Sequence, residues 1–370
     1  MNEIYGGDPM QIIEDRRALH RIPELDMELP QTMAYLRSRL ETLNCTLFSP
    51  IESSLCARFD FGQERTIAFR ADADALPIAE ATGLPFASRY PGRMHACGHD
   101  GHMAILLELA RRLDRKKSNP CNVLLIFQPA EETTGGAGKL CRTGLLKKQG
   151  VEAVFGLHLW PGLAAGKVAS RIGPMMIRSC EVNVDIFGRA AHIAKAGEAI
   201  DATAAGLELY RRVTQMEQAI PNDVFRLLKF GRIESGTVRN IISGHMRLEG
   251  SLRAFEDDVF EGLQAGIRDI AGQIETEFGC RAAVSLSEGY PAVRNPKALF
   301  DRIRSVVEFD EVKEPALTAE DFSWYQRYVP GLFFFLGLGD VPPLHAAEFQ
   351  FDETILEKGA DFFEEIGEKY

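Results

Sequence analysis

Residues 122–132 read NVLLIFQPAEE. An unbroken apolar run ends in a glutamine, a proline and two carboxylates. Such a run fits a strand buried on both faces, as the strands of a parallel sheet are. RTIAFRAD at 65–72 and VEAVFGLHLW at 151–160 have the same form and the same polar finish. SSLCARFDF at 53–61 and LFFFLGLG at 332–339 add two more β-rich runs. Between them, HMAILLELARRLDR at 102–115 places Met103, Leu106, Leu109, Ala110 and Leu113 on one side of a helix. Helical spacing also marks 9–22, 31–43 and a closing segment near 352–368. Strands alternating with helices specify an α/β layer with a mostly parallel sheet. Sites in such sheets form at the carboxyl ends of strands. That puts FRADAD, FQPAEE and FGLHLW on one rim, with MHACGHDGHM (94–103) beside them, just ahead of a helix.

The texture changes near residue 178. RSCEVNVDIFG alternates apolar and polar residues, as a strand with one open face does. A helix over about 200–219, strands VFRLLKFGRIES and HMRLEGSLRAF, a helix over about 256–278 and AAVSLSEGYP at 282–291 follow. This is a β-α-β-β-α-β order with an antiparallel sheet, ferredoxin-like in pattern. The expected organisation is a discontinuous domain over 1–177 and 289–370, interrupted by a smaller α+β domain over 178–288.

A chain of 370 residues suits two domains better than one core. The balance of 42 basic against 53 acidic residues gives a net charge of −11, which argues against a nucleic-acid partner. Seven scattered cysteines do not form a disulfide framework and fit a reduced, cytoplasmic setting. MNEIYGGDPM has no basic segment followed by an apolar stretch, so no signal peptide is expected. No apolar run approaches the roughly eighteen residues that cross a bilayer, so no membrane partner is expected.

Cys97 and His99 are two apart, so an extended segment would put them on one face. That stretch alone fits a metal site, a thiol nucleophile with a histidine base, or a small-residue turn capping a helix. Three other segments bear on the choice. Glu131 and Glu132 adjoin at a buried strand end, which is costly unless a cation or hydrogen bonds compensate them. His158 closes another apolar strand, and His345 follows a strand and a Pro-Pro break. Taken singly, the glutamates also fit an exposed helix cap, His158 a satisfied core histidine and His345 a loop residue. Together they offer thiolate, imidazole and carboxylate ligands suited to Zn²⁺ or to Mn²⁺ and its neighbours. They outnumber the needs of one four-coordinate ion, which favours either two ions, able to share a bridging ligand and a water, or one ion with groups to spare. Extended backbone would aim Glu131 and Glu132 to opposite sides, one for metal and one for general-base work. His102 reads as a helix cap or a supporting group rather than a ligand, and His20 and His245 as structural.

RRALHRIPEL, RADADALPI, MHACGHDGHMA, FQPAEE, GLHLWP, GRAAHIA, TAEDFSWY, VPGLFFFLG and LHAAEFQFDE resemble, in order, the marker segments of one family. It is the aminoacylase and carboxypeptidase family of cocatalytic metallohydrolases, and within it the amidohydrolase branch. That branch includes N-acyl-amino-acid, hippurate, indoleacetyl-amino-acid and N-acetyldiaminopimelate hydrolases. The resemblance implies a zinc-exopeptidase-like fold whose inserted domain is a lid and the contact of a homodimer. It implies divalent metal, two ions per subunit, as Mn²⁺ or Zn²⁺ with Co²⁺ or Ni²⁺ as alternatives. Cys97 would bridge, and His99, Glu132, His158 and His345 would complete the metal shell. Glu131 would be the general base and Asp74 the supporting aspartate that orients a ligand. Asp72 stands where other branches place a histidine ligand and is not counted as one. His192 would stabilise the oxyanion, and Asn240 would help hold the substrate. Arg253, on the same inserted domain, and Asn240 are the candidates for the substrate's α-carboxylate.

Three motifs depart from the family pattern. After its glycine the lid reads His192-Ile193-Ala194-Lys195-Ala196-Gly197, without the usual proline and second histidine. Asn240-Ile241-Ile242-Ser243 and Ala319-Glu320-Asp321-Phe322 also differ from the common forms. The expected function is metal-dependent hydrolysis of the amide bond of an N-acyl amino acid. N-acetyldiaminopimelate deacetylation is the alternative substrate reading. The rivals in other classes are a cysteine hydrolase using Cys97 and His99, and a catalytically silent metal-binding relative.

Overall fold

The computed structural model describes residues 9–370. Residues 1–8, on which most of the N-terminal reading falls, lie outside the described residues. The chain forms two compact units. The first runs to Met175 and takes in Val293–Pro315 and Asp321–Tyr370. The second comprises Met176–Ala292 and Ala316–Glu320.

The first unit is built on an eight-stranded sheet. Its centre is four parallel strands in the order Asn122–Gln128, Thr66–Asp72, Val151–Trp160 and Gly331–Gly337. Every residue of Asn122–Gln128 is buried, which is why its apolar run has no alternation. Leu55–Phe59 and then Thr46–Phe48 add antiparallel strands at one edge. At the other edge Val168–Ser170 is antiparallel to Gly331–Gly337, and Asp310–Glu311 runs parallel to it. Helices Pro9–His20, His99–Arg115 and Leu356–Lys369 pack on one another and bury the apolar side of His99–Arg115 in the main core. The parallel register brings polar strand ends level, with Asp72 opposite Gln128.

The helix carrying the histidines begins at His99, three residues before the periodic apolar stretch. Gly98 makes that start possible by adopting φ 84°, a left-handed conformation that side chains disfavour. Gly101, in the first turn, allows close packing: a Cβ there would stand 2.7 Å from Leu159 Cδ1 and 3.1 Å from Leu356 Cδ2. The two glycines of C-G-H-D-G therefore let the helix start press onto the end of the Val151–Trp160 strand.

The second unit is a four-stranded antiparallel sheet in the order Arg226–Ser235, His245–Ala254, Arg178–Phe187 and Arg281–Leu286. Helices Ala202–Gln218 and Asp257–Phe278 make the two crossovers. Cys180, Val182, Val184 and Ile186 are the buried positions of the first strand, the face that the alternation marks. They pack with Leu209, Val213, Leu263 and Ile267 of the helices. Ala316–Glu320 joins this unit through a bridge from Met176 to Ala316 and the Ile177 N–H on Thr318 O at 3.2 Å.

Replacing Gly101 with Ala is expected to cost about 1–3 kcal/mol by overpacking against Leu159. Denaturant unfolding should show a lower midpoint at an unchanged m-value. A midpoint equal to the parent's would mean that the helix start is not held against that strand.

Candidate active site

The rim of the first unit gathers Cys97, His99, Glu131, Glu132, His158 and His345. Cys97, His99 and His158 offer ligand atoms within 4.8 Å of one another, and so do Cys97, Glu132 and His345. His99, Glu131 and Glu132 form a third such group. Cys97 Sγ lies 3.4 Å from His158 Nε2. Glu132 Oε1 lies 3.2 Å from His345 Nε2 and 3.8 Å from His99 Nε2.

Two local expectations need correction. Cys97 and His99 do not share the face of an extended segment. Gly98 turns the backbone between them, and their atoms converge because His99 opens a helix. Glu131 and Glu132 do not point to opposite sides of a strand either. The strand stops at Gln128, since Pro129 has no N–H to continue a ladder and Ala130 takes φ 59°. The two glutamates then lie on a turn, and both carboxylates reach the same space.

Asp74 holds that turn. Its carboxylate accepts the backbone N–H of Glu131 at 2.9 Å and that of Glu132 at 3.0 Å. Its backbone carbonyl takes His99 Nδ1 at 2.8 Å. His158 Nδ1 likewise meets the Leu159 carbonyl at 2.7 Å. A histidine that donates from Nδ1 keeps its Nε2 lone pair for a metal. Burial pushes the His99 pKa down, and burial with nearby His102 pushes that of His158 well down, so both rings are neutral. His99 Nε2 is buried and has no hydrogen-bond partner.

The negative groups tell the same story. Burial, then Glu132, Glu131 and Asp72, push the Cys97 thiol well above its usual range. Burial and the neighbouring carboxylates Glu132 and Asp72 raise Asp74, against the two backbone N–H groups that lower it. Crowded carboxylates, a thiol that resists ionisation and imidazole lone pairs aimed inward are what a divalent cation would relieve. The residues fit a metal, and Cys97, His99 and Glu132 each belong to two of the three groups. His345 is held in the left-handed region at φ 66°, a strain of about 1–3 kcal/mol in general. Its N–H is tied to Ala96 O at 2.9 Å. Such strain at a candidate ligand is characteristic of functional sites.

His192, Asn240 and Arg253 lie on the second unit. His192 is exposed, and its Nδ1 accepts the Ala194 N–H at 3.2 Å, which leaves the ring proton on Nε2. The Ile193 N–H donates to Asn240 O at 3.0 Å, so His192 and Asn240 are neighbours. The Arg253 guanidinium donates to the Leu317 carbonyl. Beside the candidate ligands, Asp72 and His102 form a buried pair at 2.6 Å that the motifs had left aside. The signal was present, since Arg70, Asp72 and Asp74 alternate along one strand end.

Residues 68–369 match the model of peptidase family M20/M25/M40. The chain belongs to this family. An N-acetyldiaminopimelate deacetylase of Lacticaseibacillus paracasei is 35% identical over 94% of each chain. A solved Bacillus subtilis protein, described as a dinuclear metal-binding peptidase of the M20 family, is 30% identical with a TM-score of 0.83 over 97% of each chain. An aminobenzoyl-glutamate utilization protein of Klebsiella pneumoniae shares the fold, with a TM-score of 0.71 at 18% identity over 97% of this chain and 95% of its own. This M20 chain is thus a metal-dependent hydrolase of amide bonds, as the motifs implied, on a mixed, mostly parallel sheet.

Folding of the metal-free hydrolase should depend on pH through its buried histidines. Burial pushes His95 down to about 3, and His99 and His158 are lowered too. Unfolded histidines titrate near ~6.5, so below that value the unfolded chain binds more protons and stability falls with pH. His20 acts the other way. Burial alone would lower it, but Asp100 and Glu80 outweigh burial and raise it. Its contribution is complete below about 6.5 and lost as pH rises through its raised value. The denaturant midpoint should fall between about pH 7 and about pH 5. His95→Leu should flatten that fall, because one fewer proton is taken up on unfolding; an unchanged slope would refute the assignment.

Proposed function

We propose that this hydrolase cleaves N-acyl amino acids to a carboxylic acid and a free amino acid. The observation that carries the reading is the convergence of two ligand groups on Cys97, with Glu131 beside them on a turn held by Asp74. N-acetyldiaminopimelate is a candidate substrate, because relatives of that name are 35% identical. The reading takes two divalent ions, Mn²⁺ or Zn²⁺, held by Cys97, His99, Glu132, His158 and His345. A divalent ion bound there supplies Lewis-acid polarisation of the carbonyl and a lowered pKa of water.

The chain's own groups do the rest. Glu131 takes the proton of the attacking water and later delivers it to the leaving nitrogen. Asp74 fixes the backbone of Glu131 and Glu132, which sets where their side chains leave the turn. His192 presents its Nε2–H to the developing oxyanion, as the lid motif implies. Asn240 and Arg253 serve the substrate's carboxylate. Arg253 has N–H groups beyond those spent on one carbonyl, because a guanidinium carries five.

A homodimer through the inserted unit fits the same reading. Arg226–Ser235 is an edge strand with Leu227 and Ile233 exposed, and Leu207 and Tyr210 are exposed on the helix preceding it. Free cysteines fit a cytoplasmic setting, and no helix among the described residues is long and apolar enough to cross a membrane.

Amine release from N-acetyl, N-benzoyl and N-acetyldiaminopimelate substrates should vanish on chelation and return with Mn²⁺ or Zn²⁺. Glu131→Gln should keep the metal and lose about 10²–10⁴-fold in kcat. Near-parental turnover in that variant would remove Glu131 from its role. Arg253→Ala should raise KM for carboxylate-bearing substrates with kcat held, and an unchanged KM would assign the carboxylate elsewhere.

A further inference from the structure

Several fully buried charged groups near the site have no part in the chemistry above. Arg70 donates to Gln128 Oε1 at 2.8 Å, to Asp72 Oδ2 at 2.7 Å and to Asp321 Oδ1 at 2.7 Å. Gln128 donates in turn to both Asp321 oxygens, at 2.9 and 2.8 Å, and the Ala137 N–H holds Asp321 Oδ2 at 2.9 Å. Every polar group around Arg70 is thereby fixed, and Asp72 has no freedom to turn.

The other Asp72 oxygen, Oδ1, accepts His102 Nδ1 at 2.6 Å. With its proton on Nδ1, the His102 ring has an acceptor at Nε2, and that atom takes the Leu159 N–H at 3.0 Å. Both ring nitrogens of His102 are spent, so it is not a metal ligand. The Leu159 N–H belongs to the peptide bond that leaves His158, and the Leu159 carbonyl accepts His158 Nδ1 at 2.7 Å. Leu159 is therefore gripped by His102 at one end and by His158 at the other. The His102 ring also stands edge-on to that of His158, at 4.7 Å between centroids and 67°.

We propose that Arg70, Asp72 and His102 are a positioning relay that sets the orientation of His158 toward the metal, and so the affinity of the centre for its ion. This rests on the metal-centre reading above. The physical reason is that a ligating imidazole is aimed by whatever holds its other nitrogen. Here that partner is the backbone carbonyl of Leu159, next to the end of its strand. The carboxylate that would ordinarily steady a metal-bound histidine acts one residue removed, through His102 and the peptide. Losing His102 would leave the Leu159 N–H and an Asp72 oxygen buried without partners, and would loosen the Leu159 peptide whose carbonyl orients His158.

The test is metal affinity of the full chain without substrate, by chelator competition with Zn²⁺ and Mn²⁺. The absorption bands of the Co²⁺-loaded protein provide a second readout. His102→Met fills the space but has no ring N–H and no strong acceptor; it should weaken metal binding about 10–100-fold and shift the Co²⁺ bands. His102→Gln can donate to Asp72 and accept from Leu159, and it should restore affinity and spectrum. Asp72→Asn combined with His102→Met should lose less than the sum of the two single losses, because both act through one path. If His102→Met does not fold, His102→Ala read against His102→Gln makes the same comparison. A folded His102→Met protein with parental affinity and an unchanged Co²⁺ spectrum overturns the relay, as do additive losses in the double variant. Affinity is measured apart from turnover, so the two readings fail separately. A chain that binds metal through the relay yet hydrolyses no N-acyl amino acid sinks only the substrate reading. Parental turnover with unchanged affinity in the variants sinks only the relay.

Discussion

The Asp74 carboxylate, buried and shared between two consecutive backbone N–H groups, is the contact on which the arrangement of the site turns. It holds the Glu131–Glu132 turn that follows Pro129 and Ala130, where both side chains share one space with His99. The same residue's carbonyl orients His99. One aspartate thus positions a candidate ligand, a candidate base and a candidate bridging environment at once. Burying so many acidic groups together is unfavourable unless hydrogen bonds or a cation compensate. Asp74 supplies part of the compensation through the backbone, and the inward-facing histidine lone pairs leave the remainder to a metal.

A second buried network stands behind the first. Arg70, Asp321 and Gln128 tie the strand ends together and hold Asp72, which meets His102 at 2.6 Å and stands 3.7 Å from His99 Nε2. Burial opposes ionisation of Asp72, yet the Arg70 guanidinium and the hydrogen bond from His102 hold its carboxyl well below the usual range. A charged carboxylate is therefore kept beside the candidate ligands independently of any ion. Networks of this kind lose heavily when one member is removed, because the remaining partners stay buried and unpaired. The close packing of Leu159 on Gly98 and Gly101 serves the same end by sterics, since the helix start and the strand end have no room to slide.

How legible this was in the sequence differs between fold and site. The four parallel strands were legible because strands buried on both faces must be apolar throughout, as Asn122–Gln128 is. The inserted unit was legible because one open sheet face forces alternation, as in Arg178–Phe187. Short edge strands such as Val168–Ser170 and Asp310–Glu311 were not, since three or two residues carry no period. In the site, the residue types of Cys97, His99, Glu131, Glu132, His158 and His345 were legible from their motifs, but their local geometry was misread. A left-handed glycine and a proline break the extended backbone on which that geometry rested.

The sequence by itself determined which segments become strands and helices, which polar residues sit at strand ends, and that thiol, imidazole and carboxylate ligands are available in the order of one hydrolase family. These follow from local periodicity and from the chemistry of single residues. Only the tertiary structure decided that Cys97 is common to two ligand groups, that Asp74 acts through backbone N–H groups, and that Asp72 reaches His158 by way of His102 and Leu159. Those contacts join residues from separate strands and loops. Their distances are set by sheet register and by the close approach that two glycines permit, and no local pattern in the chain encodes them.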